Sequence, residues 1–205
     1  MRTTPLILAL ILIGSLVIKT NAATILNGSF ENATSGLPDD WNPSGNLRVV
    51  NSQGQTDGSF ALAFSFDNLP SDGQIWQTFV TVPLTTYNLS FDFGKYSVNQ
   101  PDLFARLQVD IFDGAGFSGT VQVSKLVEDD TNMVSGFYNS FQYEFTALSA
   151  SSTLRFQDFS DAQVPGGGFD AMLDKVGITA VPEPSTTALL IGGVALAAAL
   201  RRRNQ

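Results

Sequence analysis

The chain has 205 residues, a formal net charge of −8, no cysteine and no histidine. These absences exclude a disulfide framework, a thiolate metal site, Ser-His-Asp or Cys-His nucleophiles, His-ligated zinc and an imidazole proton shuttle near neutral pH. Between residues 23 and 180 six basic side chains (Arg48, Lys95, Arg106, Lys125, Arg155, Lys175) face eighteen of the nineteen acidic ones, which excludes nucleic acid as a partner because phosphate binding needs clustered Lys and Arg.

Residues 1–22 read as a cleaved signal peptide. Met1-Arg2 starts the chain with positive charge, 5–18 is an apolar run, and Thr20-Asn21-Ala22 supplies short side chains before a cut after Ala22 or Ala23. The run is short for a permanent span of roughly 20 residues.

Residues 23–180 read as one domain of strands. Phe60, Leu62, Phe64 and Phe66 alternate with Ala61, Ala63, Ser65 and Asp67; Tyr87, Leu89, Phe91 and Phe93 alternate with Asn88, Ser90 and Asp92. Further strand-like runs lie at 47–51, 75–82, 104–112, 121–127, 137–145, 153–159 and 171–179. Turn signals at 56–59, 68–73, 113–116 and 165–168 separate them. No interval carries a long helical period. The expected fold is therefore all-β, an antiparallel two-sheet β-sandwich of jelly-roll type with nine or ten strands, and most of its sixteen Phe form the core.

Within this body Glu128-Asp129-Asp130 reads as an exposed acidic loop. Gly166-Gly167-Gly168 reads as a loop tip, since no G-K-[ST] follows to make a phosphate loop. Trp41 is expected to pack beside the N-terminal segment. Trp76, Tyr96, Phe117 and Tyr138 remain conceivable stacking platforms for a sugar. The glutamates Glu31, Glu128 and Glu144 nominate no acid–base pair for glycoside hydrolysis, so the chain is not expected to be an enzyme.

Residues 181–205 form a tail. Val181-Pro182-Glu183-Pro184 breaks regular structure, 187–200 is uncharged and rich in Ala, Leu and Gly, and Arg201-Arg202-Arg203 follows. Read as a transmembrane-like helix, this segment leaves the arginines in the cytoplasm and the body outside, in agreement with the signal peptide. The order of Pro-Glu-Pro, apolar stretch and basic cluster resembles the PEP-CTERM sorting signal. That resemblance implies an exosortase-type membrane transpeptidase as partner, a precursor anchored transiently in the inner membrane, and delivery of the body to the cell surface or extracellular matrix.

Three pieces of the body, 26–31 with 37–41, 56–62 and 172–178, resemble the galactose-binding-domain-like jelly roll of carbohydrate-binding modules. In that family the corresponding N-terminal strand, turn and last strand converge on a structural calcium ion. The resemblance thus implies Ca²⁺ at Glu31, Asp57 and Asp174, completed by main-chain carbonyls near Ser29 and Ser59. Two functions follow as expectations: a non-catalytic structural or adhesive envelope component, and, alternatively, a calcium-stabilised module recognising extracellular polysaccharide.

Overall fold

In the computed structural model of the chain, the structure describes residues 23–68, 70–98, 102–130, 138–162 and 168–182. The expected signal helix, the apolar part of the tail and the arginine cluster lie outside them. The body is all-β, in two five-stranded antiparallel sheets. The elements in chain order are β1 (Ala33–Thr34), β2 (Leu37–Pro38), β3 (Asn42–Ser44), β4 (Leu47–Val50), β5 (Ala61–Phe64), a 3₁₀ turn (Phe66–Asn68), β6 (Gln74–Val80), β7 (Thr86–Val98), β8 (Ala105–Asp113), β9 (Val121–Asp129), β10 (Asn139–Thr146), β11 (Ser151–Asp158) and β12 (Gly168–Ala180). The first sheet runs β10-β7-β12-β5-β4, the second β3-β6-β11-β8-β9, and β1 with β2 makes a small separate hairpin.

Period-two patterning decides which side chains meet. On the first sheet Leu89 lies between Tyr143 and Ile178, and Leu173 between Leu62 and Phe93. On the second, Phe156 lies between Ile75 and Val109, and Leu154 between Gln77 and Ile111. Apart from the half-buried Tyr143 these inner rows are buried, and the sheets touch through rings: Phe91 meets Phe156 edge-on at 5.2 Å and Phe79 meets Phe145 at 6.3 Å. Trp41 closes one side of this layer, 5.9 Å from Phe30 and 6.3 Å from Phe156, with its indole N–H donating to the Asn27 carbonyl at 3.1 Å. Trp41 is thus a packing residue, as the sequence predicts.

Four expectations are corrected. The 60–67 run is a strand only over Ala61–Phe64, because Ser65 (φ 57) and Asp67 (φ 59) take left-handed conformations that end the ladder. Phe66 therefore leaves the alternation and packs under the Arg48 guanidinium, 5.3 Å from its ring. Segment 26–31 is a series of turns rather than a strand, with Asn27 (φ 50) and Phe30 (φ 55) left-handed. The 75–82 run ends as a strand at Val80. Glu128 and Asp129 belong to β9: Asp129 is buried and accepts the Lys95 amide at 2.7 Å, while Glu128 pairs with Arg106 at 3.2 Å.

Phe156 contacts both Phe91 and Trp41 and is fully buried, so truncation leaves a cavity that neighbouring rings cannot fill. Phe156→Ala is expected to cost about 3–5 kcal/mol, read as a lowered midpoint in chemical denaturation.

Candidate functional site

Burying Ile75, Gln77 and Phe79 turns Trp76 and Thr78 to the outer face of the second sheet. There the registers align two rows across five strands. One runs Asn42, Trp76, Arg155, Asp110, Ser124; the next runs Ser44, Gln74, Gln157, Gln108, Leu126. Three glutamines thus lie side by side next to an aromatic ring and an ion pair.

The β8–β9 loop completes the face. Phe117 comes from this loop and packs 5.4 Å from Trp76, edge to face, and 5.3 Å from Phe112, remaining 40% exposed. Thr153, on β11, holds the loop in place: its hydroxyl donates to the Gly114 carbonyl and accepts the Gly116 amide, both at 2.9 Å. Having spent its one proton there, Thr153 accepts from Thr78, also at 2.9 Å. Gly119 is required in the same loop, since a Cβ would stand 1.7 Å from the Asp113 carbonyl oxygen.

Electrostatically the face is neutralised from within. Arg155 donates to Asp110 Oδ2 through Nη2 at 2.6 Å and Nε at 3.2 Å, and its guanidinium lies over Phe112 and Phe117 at 5.0 and 5.1 Å. The other Asp110 oxygen accepts Gln108 Nε2 at 2.8 Å, and that amide also donates to Ser124 Oγ at 2.8 Å. Arg106, further along β8, pairs with Glu128 and Asp161. The result is an open aromatic platform bordered by amides and a compensated ion pair, suited to stacking a sugar ring and hydrogen-bonding its hydroxyls. Of the conceivable platforms, Trp76 and Phe117 come together here. Tyr96 sits on the outer face of the other sheet, and Tyr138 has its hydroxyl buried with no hydrogen-bond partner among the described residues, its pKa pushed up to about 12 by burial.

Two of the three expected metal ligands meet at one turn. Glu31 Oε1 accepts the amides of Ser59 (2.7 Å) and Phe60 (2.9 Å). Asp174 Oδ2 accepts those of Thr56 (2.7 Å) and Asp57 (2.9 Å). The turn has to carry glycine at Gly58 (φ 93), where a Cβ would stand 2.3 Å from Glu31 Oε1. Asp57 joins through its amide while its side chain is exposed, and Ser59 likewise presents its N–H. Among the described residues no group of three or more Asp and Glu gathers at metal-holding distance.

A cavity of about 300 Å³ on the outer face of the first sheet is lined by Gln53, Phe66, Asp67, Tyr96 and Asp170. Asp170 accepts Gln53 Nε2 at 2.7 Å, and burial, with Asp67 adding like charge, pushes its pKa up to about 6. Because the folded chain holds this proton more tightly than the unfolded one, stability contributed by Asp170 is present at acid pH and is lost as pH rises from about 4 to about 6. Asp170→Asn is expected to flatten that part of the melting temperature–pH profile relative to the unaltered protein.

The sorting residues divide. Val181 and Pro182 are described, and the Val181 amide donates to the Thr86 carbonyl at 2.9 Å, so pairing with β7 continues to the edge of the motif. Glu183, Pro184, Arg201, Arg202 and Arg203 lie outside the described residues. Among the described residues no helix is long and apolar enough to cross a membrane.

Comparison by sequence with curated proteins finds no match. By structure, the body is similar to part of an arabinose-bound α-L-arabinofuranosidase (TM-score 0.51, 18% identity, 78% of this chain and 27% of that one). It also resembles a xylan-binding domain of Paenibacillus barcinonensis Xyn10C (TM-score 0.47, 17% identity, 76% and 93%) and the N-terminal cellulose-binding domain of Cellulomonas fimi β-1,4-glucanase C (TM-score 0.47, 15% identity, 71% and 91%). The model of the PEP-CTERM protein-sorting motif matches residues 180–203. The chain therefore carries a PEP-CTERM sorting signal on a jelly-roll body, and is an exported protein held at the membrane before exosortase processing and then presented at the cell surface.

Proposed function

We propose that the body is a non-catalytic module that binds uncharged glycans of the cell surface or extracellular matrix through the outer face of β3-β6-β11-β8-β9. The observation that carries this reading is the Trp76–Phe117 platform beside the row of Gln74, Gln157 and Gln108. Support for an uncharged ligand comes from Arg155, whose charge is compensated by Asp110 and shielded by two rings. A chain without His or Cys supports a binding role over a catalytic one. The structural envelope role expected first from the sequence lacks a comparable observation, whereas the aromatic–amide face favours the binding module.

Affinity electrophoresis through gels containing neutral polysaccharides, with uronate-rich gels alongside, tests this. Retention is expected in at least one neutral gel, and Trp76→Ala should weaken it by roughly thirtyfold, the effect of losing a contact of about 2 kcal/mol. No retention on any neutral polysaccharide, or retention unchanged by Trp76→Ala, leaves the structural role in its place.

We also propose that the Glu31–Asp174 clamp takes a stabilising calcium ion, using the second oxygen of each carboxylate, of which Asp174 Oδ1 also accepts the Lys175 amide at 2.7 Å, together with main-chain carbonyls. Oxygen donors in an acidic body exposed outside the cell suit a hard cation. Calcium is expected to raise the melting temperature relative to chelator, and Glu31→Ala or Asp174→Ala to abolish the rise. In chelator Asp174→Ala still lowers stability by about 1–3 kcal/mol, because two partly buried amides lose their acceptor, whereas the two amides bonded to Glu31 are exposed and turn to water in Glu31→Ala. Equal melting in calcium and chelator removes the cation and leaves a clamp made of hydrogen bonds alone.

A further inference from the structure

The sandwich has two chemically different ends. At one end β12 runs out at Ala180 beside Tyr87, and three connections cluster there: 81–85 between β6 and β7, 114–120 between β8 and β9, and 147–150 between β10 and β11. They are tied together by the backbone, with the Leu84 amide donating to Ala147 (2.7 Å), Ala147 to Thr85 (3.0 Å), Thr81 to Ala150 (3.0 Å) and Gly114 to Ser151 (2.8 Å). None of the residues in these loops is charged; Asp113 and Glu144 lie on the adjoining strands, and Asp40 lines a cavity together with Val80. The opposite end carries Asp67, Asp72, Asp102, Asp130 and Asp161.

The uncharged end also exposes apolar side chains. Leu84 is 77% exposed and held in a left-handed conformation (φ 66), Val80 is 57% exposed and Leu148 55%. Leu84 and Leu148 belong to the two loops joined by the Leu84–Ala147 hydrogen bond, so they form one tip.

The tail leaves from this same end. Val181 is still bonded to Thr86, and the apolar run of the sorting signal begins six positions later, at Thr187. Fully extended chain covers at most ~3.5 Å per residue, so the loop end of the body lies within roughly 20 Å of the start of that run. With five aspartates at the far end and Leu84 and Leu148 exposed on uncharged loops at the near end, the body meets a membrane, whose surface is itself negative, with less repulsion and more apolar contact at the near end.

We infer that, while the tail is in place, the sandwich stands end-on against the membrane, with Leu84 and Leu148 seated in the lipid interface and the aspartate-bearing end directed away. Val181, bonded to Thr86 where the 81–85 connection ends, then lies on the membrane side of the body, so a processing enzyme approaches the start of the motif past the 81–85 and 147–150 loops. The inference does not depend on glycan binding.

Because the chain has no cysteine, single nitroxide labels report on chosen sites. The protein, isolated from a membrane fraction with its tail intact, is returned to vesicles of phosphatidylethanolamine and phosphatidylglycerol. Leu84→Cys, Leu148→Cys and Asp67→Cys are labelled separately, and accessibility to oxygen and to a water-soluble nickel chelate is measured by power saturation. Labels at 84 and 148 are expected to favour oxygen over the chelate several-fold more than the label at 67. Equal, aqueous values at all three sites overturn the inference. So does spin–spin broadening at 84 that disappears on dilution with unlabelled protein, since a second copy rather than lipid then covers the tip.

Discussion

The contact between Phe91 and Phe156, edge to face at 5.2 Å, is where the two sheets become one structure. Each sheet alone has one apolar face, and neither is stable until that face is covered at a spacing of about 10 Å. Once Phe91 and Phe156 are committed inward, period two commits every other residue of β7 and β11, and the ladders extend the choice to their neighbours. Arg155 is outward because Leu154 and Phe156 are inward, and Trp76 is outward because Ile75 and Gln77 are inward. The candidate binding face is therefore the necessary reverse side of the core.

Polar groups inside the sandwich do a different job, holding irregular segments to the regular ones. Gln77 sits at an inner position of β6, accepts the Leu26 amide at 2.8 Å and donates to the carbonyls of Leu26 (3.0 Å) and Asp40 (2.8 Å), tying the N-terminal segment to the sheet where β3 no longer covers it. Asp158 accepts Ser65 Oγ at 2.6 Å and the Ser160 amide at 2.9 Å, and burial raises its pKa despite those bonds. Lys95 is fully buried, with its ammonium over the Phe169 ring at 5.5 Å and donating to the Leu103 carbonyl; burial lowers its pKa although Asp129 and other acids oppose the shift. Such groups are costly unless satisfied, so they fix one arrangement of the loops.

The position of the sorting signal relative to the last strand links fold to destination. β12 is central in its sheet, pairing with β7 from Gly168 to Ala180 and with β5 at Ala171–Leu173, so the half of the strand that leads into the tail is held by β7. The proposed glycan face belongs to the other sheet, and its Phe117 comes from the 114–120 loop, at the same end of the sandwich as the tail.

Much of this protein was legible before any fold was drawn. Alternation around Phe91, Phe93, Leu62 and Phe64 identified the strands and their inner faces, and the Pro-Glu-Pro, apolar and arginine segments identified the route of export, because both are local patterns repeated along the chain. Left-handed turns at Asn27, Phe30, Ser65 and Asp67 were not legible, since those residue types only tolerate such conformations and tertiary hydrogen bonds select them. Nor could the sequence say whether Trp76 faced solvent, or that Phe117, forty-one positions away, would lie beside it. That pairing comes from the order β3-β6-β11-β8-β9, which sets Thr153 next to Thr78 and uses its hydroxyl to hold the 114–120 loop over the sheet. The sequence by itself determined strand content, core composition and destination, which depend on local periodicity and charge. Only the tertiary structure decided which strands became neighbours, and hence which aromatic, amide and carboxylate groups share a site, because sheet order is set by packing between residues far apart in the chain.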